Sequence, residues 1–250
     1  MKSFLQTLQY CLRSGYEYVA MALGLGALAF VCLWGLPFAL FFLILPRKWR
    51  LPLGRKTIAT SFTAYLWFLR VFCLVRLDCS ALDKLQLDRS LIVVANHPSL
   101  LDAVILLSRL PRATCVMKAT LKDHPLFGPV ARFSGYISNE DPLNLIRQAC
   151  NELAEGGHLL IFPEGTRTLE FPVNTFGQTA AMIAQRSGVP IQTLLISFST
   201  PYLGKKWPLY RKPRLPLRIS VKLGQRFEAV TDREMLTQKL ETYYRQHLHC

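Results

Sequence analysis

The stretch "LIVVANHPSLLDAVILLSRL", residues 91 to 110, changes period in its middle. Residues 91 to 96 are a continuous apolar run closed by Asn96, which predicts a strand buried on both faces. Residues 99 to 110 follow without a linker and carry apolar residues all round the first turns of a helix. A buried strand running straight into a helix is the opening unit of a parallel sheet. His97 and Asp102, five positions apart, fall at the junction.

The rest of the second half repeats this alternation. Strands are predicted at 114 to 118, 158 to 166 and 189 to 199, and helices at 124 to 135, 144 to 157 and 174 to 188, that at 144 to 157 ended by glycine. "RLPLRISVKLG", 214 to 224, alternates apolar and polar residues as an edge strand does, and 232 to 248 reads as a terminal helix with an acidic first turn. The expected fold class is α/β, a mostly parallel or mixed sheet flanked by helices, with N-terminal membrane-associated helices. No internal repeat or low-complexity tract is present.

The first 76 residues differ in kind. The chain is 51% apolar with mean hydropathy +0.22, too apolar for a domain that meets only water. Residues 18 to 45 contain no charged residue, and as a straight helix they would reach about 42 Å, beyond the ~30 Å hydrocarbon layer. Pro37 lies inside this run, so a kinked span, a helix with an interfacial turn and a re-entrant hairpin are all compatible with it. Small residues at Ala20, Gly24, Ala22 and Gly26 suit close helix approach better than the dinucleotide-binding pattern that "GLGALA" formally matches. A signal peptide ending at "ALA" is rejected because the apolar run continues past it to Leu45. A second apolar stretch, 57 to 75, is expected to lie in the interface or to complete a hairpin. The predicted organisation is therefore an anchor over 1 to 76 and a globular domain over 77 to 250.

Net charge is +14, of which +8 belongs to the first 76 residues. Arg47, Lys48, Arg50, Arg55 and Lys56 follow the apolar run directly, which by the positive-inside rule sets this flank and the following domain on the cytoplasmic face. No acidic residue lies between Glu170 and Glu228, whereas Lys205, Lys206, Arg211, Lys212, Arg214, Arg218 and Lys222 crowd part of that interval. A basic helix with base-reading side chains and any recognisable nucleic-acid module are absent, so the charge points to membrane phosphates or an acidic carrier rather than to nucleic acid. The seven cysteines lack C-x-x-C spacing, which fits reduced thiols. His247, His249 and Cys250 could be drawn as a metal site, but a frayed terminus accounts for them better, and no metal is expected.

Ligands in open α/β sheets gather at the carboxyl ends of strands. Two polar loops occupy such ends, Asn96 to Asp102 and "FPEGTR", 162 to 167. A histidine just before a helix, with a carboxylate in its first turn, can give one ring N–H to the acid and offer the other nitrogen as a general base. Ser99-x-x-Asp102 is also a capping-box pattern, which explains Asp102 without catalysis. In the second loop, Pro163 and Gly165 predict a tight turn with exposed backbone N–H groups, flanked by Glu164 and Arg167. Arg167 could hold a phosphate or carboxylate, or simply pair with Glu164. No G-x-S-x-G elbow, Walker loop or zinc spacing is present.

"NHPSLLD" followed some 60 residues later by "FPEGTR" resembles the glycerolipid (lysophospholipid) acyltransferase family, whose hallmarks are Asn-His-x-x-x-x-Asp and Phe-Pro-Glu-Gly-Thr-Arg. The resemblance runs from about residue 72 to 225 and includes "KATLKDHPLFG" (118 to 128) and "GVPI" (188 to 191). It implies transfer of an acyl chain from acyl-CoA or acyl carrier protein to a hydroxyl of a lipid acceptor, with no cofactor beyond that co-substrate and no covalent acyl-enzyme. It further implies that His97 is the base and Asp102 its orienting partner, and that Glu164, Gly165, Thr166 and Arg167 bind the acceptor's head. Members often carry Gly-x-Ile-x-x-x-Arg between the hallmarks, where this chain reads "GYISNED", 135 to 141, with Asp141 at the arginine's place. That exchange weakens the case for a phosphate-bearing acceptor unless Lys118 or Arg132 compensates; an amino-acid lipid is the alternative. A catalytically silent membrane-binding homologue and a non-specific nucleic-acid binder are the competing classes.

Overall fold

In the computed structural model residues 2 to 248 are described, with side chains from Phe4 onward; His249 and Cys250 of the terminal cluster lie outside them. Among the described residues one sheet is built from β1 (Val75–Asp78), β2 (Leu91–Ala95), β3 (Ala113–Met117), β4 (Ile137–Ser138), β5 (His158–Ile161), β6 (Ile191–Phe198) and β7 (Leu217–Phe227), in the order β1-β7-β6-β2-β5-β3-β4. Every pairing is parallel except β6 with β7. The helices are α1 (Lys2–Phe42), α2 (Arg47–Phe72), α3 (Leu101–Arg109), α4 (Phe127–Ser134), α5 (Pro142–Ala154), α6 (Thr179–Ser187) and α7 (Arg233–His247).

The centre of the sheet explains the unbroken apolar run at 91 to 95. All five residues of β2 are fully buried. Leu91, Val93 and Ala95 face a core shared with α2 and α3, while Ile92 and Val94 face a second core under α5, α6 and α7. With both faces covered, no position of the strand is left for a polar residue. The helices end and begin on local signals. Gly135 and Gly188, at φ +72° and +69°, close α4 and α6 in the left-handed conformation that favours glycine. Asp232 caps α7 by accepting from the N–H groups of Glu234 and Met235.

The segment 214 to 224 departs from its expected place. It reads as an edge strand, yet β7 is interior, paired with β6 on one side and β1 on the other. Its alternation reports a different asymmetry: Leu217, Ile219 and Val221 are buried while Arg218 and Lys222 are exposed, so one face of the strand meets the core and the other meets solvent. The true edges, β1 and β4, are too short to leave a periodic signal.

The N-terminal segment forms an antiparallel pair of helices. α1 continues through Pro37 without a break and the chain reverses at residues 43 to 46. The five bases expected to flank an apolar span lie on α2 itself. One of them, Arg55, makes a two-pronged ion pair with Glu152 of α5 and donates from Nε to Ser134 O at 3.0 Å. Tyr65, Leu66 and Leu69 of α2 belong to the same core as β2, and Gly54 lets α2 approach Phe133, whose carbonyl oxygen a Cβ would meet at 2.5 Å. α1 touches the globular part near both its ends. Arg13 donates to Leu215 O at 2.8 Å and Glu17 pairs with Lys212 at 2.6 Å, while the Phe42 ring stacks on Phe133 at 6.1 Å. By length and composition α1 is apolar enough to cross a membrane. Its outward side carries Phe30, Leu33, Trp34 and Phe41, all more than half exposed.

Candidate active site

β2 and β5 lie side by side and point the same way, so the loops that leave them meet. The two sequence motifs are stitched together through the main chain: His97 N–H donates to Glu164 Oε1 at 2.8 Å, and Thr168 N–H donates to His97 O at 2.8 Å. Asn96 fixes the start of the first loop. Its side-chain amide donates to Ile196 O at 2.9 Å and accepts from Ile196 N–H at 2.8 Å, so a side chain continues the ladder to β6.

His97 Nδ1 lies 2.9 Å from Asp102 Oδ2, and its ring stacks on Phe162 with centroids 4.2 Å apart. These two contacts fix the imidazole plane. Among the described residues Nε2 has no protein partner, and the side chain is 18% exposed, so the free nitrogen is the one open to a substrate. Asp102 is fully buried and also accepts from Ser99 N–H at 2.8 Å. The carboxylate that orients His97 thus also holds the loop ahead of α3, but the expected capping box is not closed, since the Ser99 hydroxyl accepts from Leu101 N–H at 3.2 Å instead of from Asp102 N–H and α3 has no side-chain cap. Burial drives the Asp102 carboxyl up to about 6, against the opposing pull of the His97 hydrogen bond.

Glu164 is 8% exposed and is committed to internal donors, accepting from His97 N–H, the Thr168 hydroxyl at 2.9 Å and Asn174 N–H at 2.9 Å. It does not pair with Arg167. Gly165, at φ +63°, closes a tight turn by donating to Phe162 O at 3.0 Å, and Thr166 follows at its half-buried crest. Arg167 Nη1 donates to Leu203 O and Gly204 O at 2.8 and 3.2 Å. Its Nη2 and Nε have no protein partner among the described residues, which leaves the outer edge of the guanidinium available to an anion.

The loop that Arg167 holds was not legible in the sequence. Ser99 Oγ donates to Tyr202 O at 2.8 Å and Leu100 N–H to Leu203 O at 3.1 Å, so residues 202 to 204 wall the histidine loop from the β6 side. Nothing periodic or motif-like marks them; a left-handed Leu203, at φ +57°, is visible only in three dimensions. Beside this wall opens a cleft of about 1310 Å³ bounded by Pro98, Thr168, Arg13 of α1, Lys205, Lys206 and Trp207. Part of the basic cluster thus flanks the site.

Asp141 has a local explanation. It is the N-cap of α5, accepting from the N–H groups of Leu143 and Asn144 at 3.0 and 3.3 Å, with Pro142 at the first helical position. Among the described residues no group of three or more His, Cys, Asp or Glu side chains is arranged to hold a metal ion.

The family model described as "Acyltransferase" matches residues 76 to 197. A 1-acyl-sn-glycerol-3-phosphate acyltransferase of Helicobacter pylori is 30% identical over 165 residues, covering 63% of this chain and 70% of that protein. A lyso-ornithine lipid O-acyltransferase of Rhizobium meliloti is 31% identical over 157 residues, 58% of this chain and 53% of that protein. The chain spans little more than half the length of several such relatives, 58% and 53% in two further alignments. The crystal structure of a 1-acyl-sn-glycerophosphate acyltransferase from Thermotoga maritima shares the fold, with TM-score 0.62 and 24% identity over 96% of this chain and 95% of the other. With the family model seated over the two stitched loops and the Helicobacter protein covered over most of its length, the chain belongs to the acyltransferase family.

Proposed function

We propose that this protein is a membrane-bound O-acyltransferase that moves a fatty acyl chain from a thioester, acyl-CoA or acyl carrier protein, to the hydroxyl of a lysophospholipid-type acceptor. The observation that carries the reading is the His97–Asp102 pair, its carboxylate buried and Nε2 left free. Nε2 takes the proton of the acceptor hydroxyl as its oxygen attacks the thioester carbonyl. Asp102 holds the Nδ1–H tautomer and stabilises the imidazolium that forms. Collapse of the tetrahedral adduct breaks the carbon–sulfur bond and releases the thiolate, which His97 can reprotonate. A thiolate leaves readily, so one base and good positioning suffice. Glu164 organises the two loops, while the free edge of Arg167, with Gly165 and Thr166 beside it, receives the acceptor's polar head.

The membrane attachment we infer is residence in one leaflet, on the cytoplasmic face. Residues 13 to 42 of α1 cover about 44 Å, yet contacts at both ends of that length reach the same domain. A helix that keeps both contacts lies along the membrane surface with its outer apolar side chains immersed.

Asp141 favours a second reading of the acceptor. The family arginine's position holds a carboxylate committed to capping α5. Together with the likeness to a lyso-ornithine lipid acyltransferase, this supports a head group that itself carries a positive charge. Incubation with acyl-CoA or acyl carrier protein and a panel of lysolipids tests both readings. Transfer should appear in the native protein and vanish in His97→Ala; transfer that survives His97→Ala would sink the mechanism, and the preferred acceptor separates phosphate from amino-acid heads.

A further inference from the structure

At the opposite end of the sheet from β4, a groove of about 860 Å³ opens over the uncovered outer face of β1 and β7. Three arginines line it: Arg70 from the last turn of α2, Arg76 of β1 and Arg218 of β7. Arg76 and Arg218 are register partners on adjacent strands, so two like charges stand side by side on one face, an arrangement that costs stability unless something neutralises it. Among the described residues none of the three guanidinium groups has a hydrogen-bond or ion-pair partner. Asp78 also lines the groove, but its carboxylate is turned to Ser80, accepting from its hydroxyl at 3.0 Å. Hydroxyls complete the lining: Ser197 and Ser220 lie Oγ to Oγ at 2.8 Å, and Ser199 stands alongside.

The rim is of the opposite character. Leu74 lines the groove at φ +50°, a conformation a leucine adopts only when its surroundings enforce it, and is 47% exposed. Val71 and Phe72, at the end of α2, are each about half exposed beside it in the chain. An unpaired cationic floor with donor hydroxyls, bordered by apolar side chains from the helical pair, is complementary to a phosphate joined to hydrocarbon.

We propose that this groove is a binding site for the phosphate head of an anionic glycerophospholipid of the host membrane, distinct from the acyl-transfer site. The arginines and serines hold the phosphate oxygens, and the chains run past Leu74 and Phe72. Arginine forks match phosphate geometry, and each cation near a lipid surface contributes enough for a several-fold gain in partition. The site rests on the leaflet placement of α1 and α2, which the test reads separately.

The experiment is flotation of the purified full chain with vesicles of phosphatidylcholine alone or with 20 mol% phosphatidylglycerol. Arg76→Gln/Arg218→Gln is compared with a charge-matched control on α7, Arg233→Gln/Lys239→Gln. Binding to neutral vesicles, which reports the helical pair, should be the same in all three proteins. The extra binding that phosphatidylglycerol confers should fall on the order of tenfold in the arginine variant and less than twofold in the control. The arginine variant should melt no lower than the native protein, because it removes a like-charge pair. Equal losses in both variants would show only diffuse attraction and overturn the proposal. A rise in melting temperature with 10 mM inorganic phosphate, lost in the arginine variant, together with vesicle binding that phosphatidylglycerol does not raise, would identify a soluble phosphate as the ligand and overturn the lipid assignment.

Discussion

His97 and Asp102 are joined at 2.9 Å through the same carboxylate oxygen, Oδ2, that accepts the N–H of Ser99, while Oδ1 is buried with no partner. Fixing the loop ahead of α3 at Ser99 and orienting the imidazole are thus one act of one atom. This gives the carboxylate its position without a further side chain to hold it.

Asp102→Asn therefore separates two effects. An asparagine amide can still accept from Ser99, so the melting temperature should move by less than a few degrees. With its oxygen in the place of Oδ2 it has no charge to stabilise an imidazolium; the turnover rate should fall by about 10³ to 10⁴. Steady-state rates beside thermal melts of the same preparation check this.

The pH dependence follows from burial. The Asp102 carboxyl is raised to about 6 in the folded protein from an ordinary 3.8. For a raised acid the cost of burying its charge is fully present above about 6 and is relieved as pH falls toward 4, so this group opposes acid unfolding. Activity runs the other way. Below about pH 6 Asp102 takes up a proton and no longer stabilises the imidazolium, and kcat/KM should drop about tenfold per pH unit. Rate profiles from pH 4.5 to 8 test it; a flat acid limb would mean the pair is not the base.

Arg55 and Glu152 are each about one-tenth exposed and tie α2 to α5. Glu152→Ala leaves the guanidinium buried without its counter-charge and should cost about 3 to 5 kcal/mol. Replacing both, as Arg55→Met with Glu152→Leu, should recover most of that loss. Denaturant midpoints of the two variants decide between a pair that stabilises outright and one that is merely costly to break.

The exposed apolar side of α1 should govern membrane attachment and not folding. Burial of a large apolar side chain contributes about 1.5 to 3 kcal/mol. Phe30→Ser, Leu33→Ser and Trp34→Ser together should shift the protein from membrane to supernatant in a sedimentation assay with little change in melting temperature. Retention on the membrane with all three replaced would rule out immersion of this face.

Much of the fold was legible because burial on two faces leaves a plain signature. The strands at 91 to 96 and 189 to 199 and most of the helices that follow the strands appear where periodicity predicts them, within a few residues, while the helix expected from 174 begins only at Thr179. Alternation in β7 was read as an edge because a half-exposed face and a missing neighbour imprint the same pattern. The meeting of the two motifs follows from the pairing of β2 with β5, which neither strand's own residues specify. The wall at 202 to 204 is held through Ser99, Leu100 and Arg167, contacts made across 36 to 103 positions, and no local pattern encodes them.

Register between Val75 and Leu217 has a consequence in time. A nascent chain emerges N-terminus first, so α1, α2 and the short β1 leave the ribosome well before the strand that will pair with β1 exists. During that interval the apolar faces of both helices have no finished core to join, and a bilayer is the surface that can shelter them. The outer edge, where β1 meets β7, is then the last pairing of the sheet to be zipped.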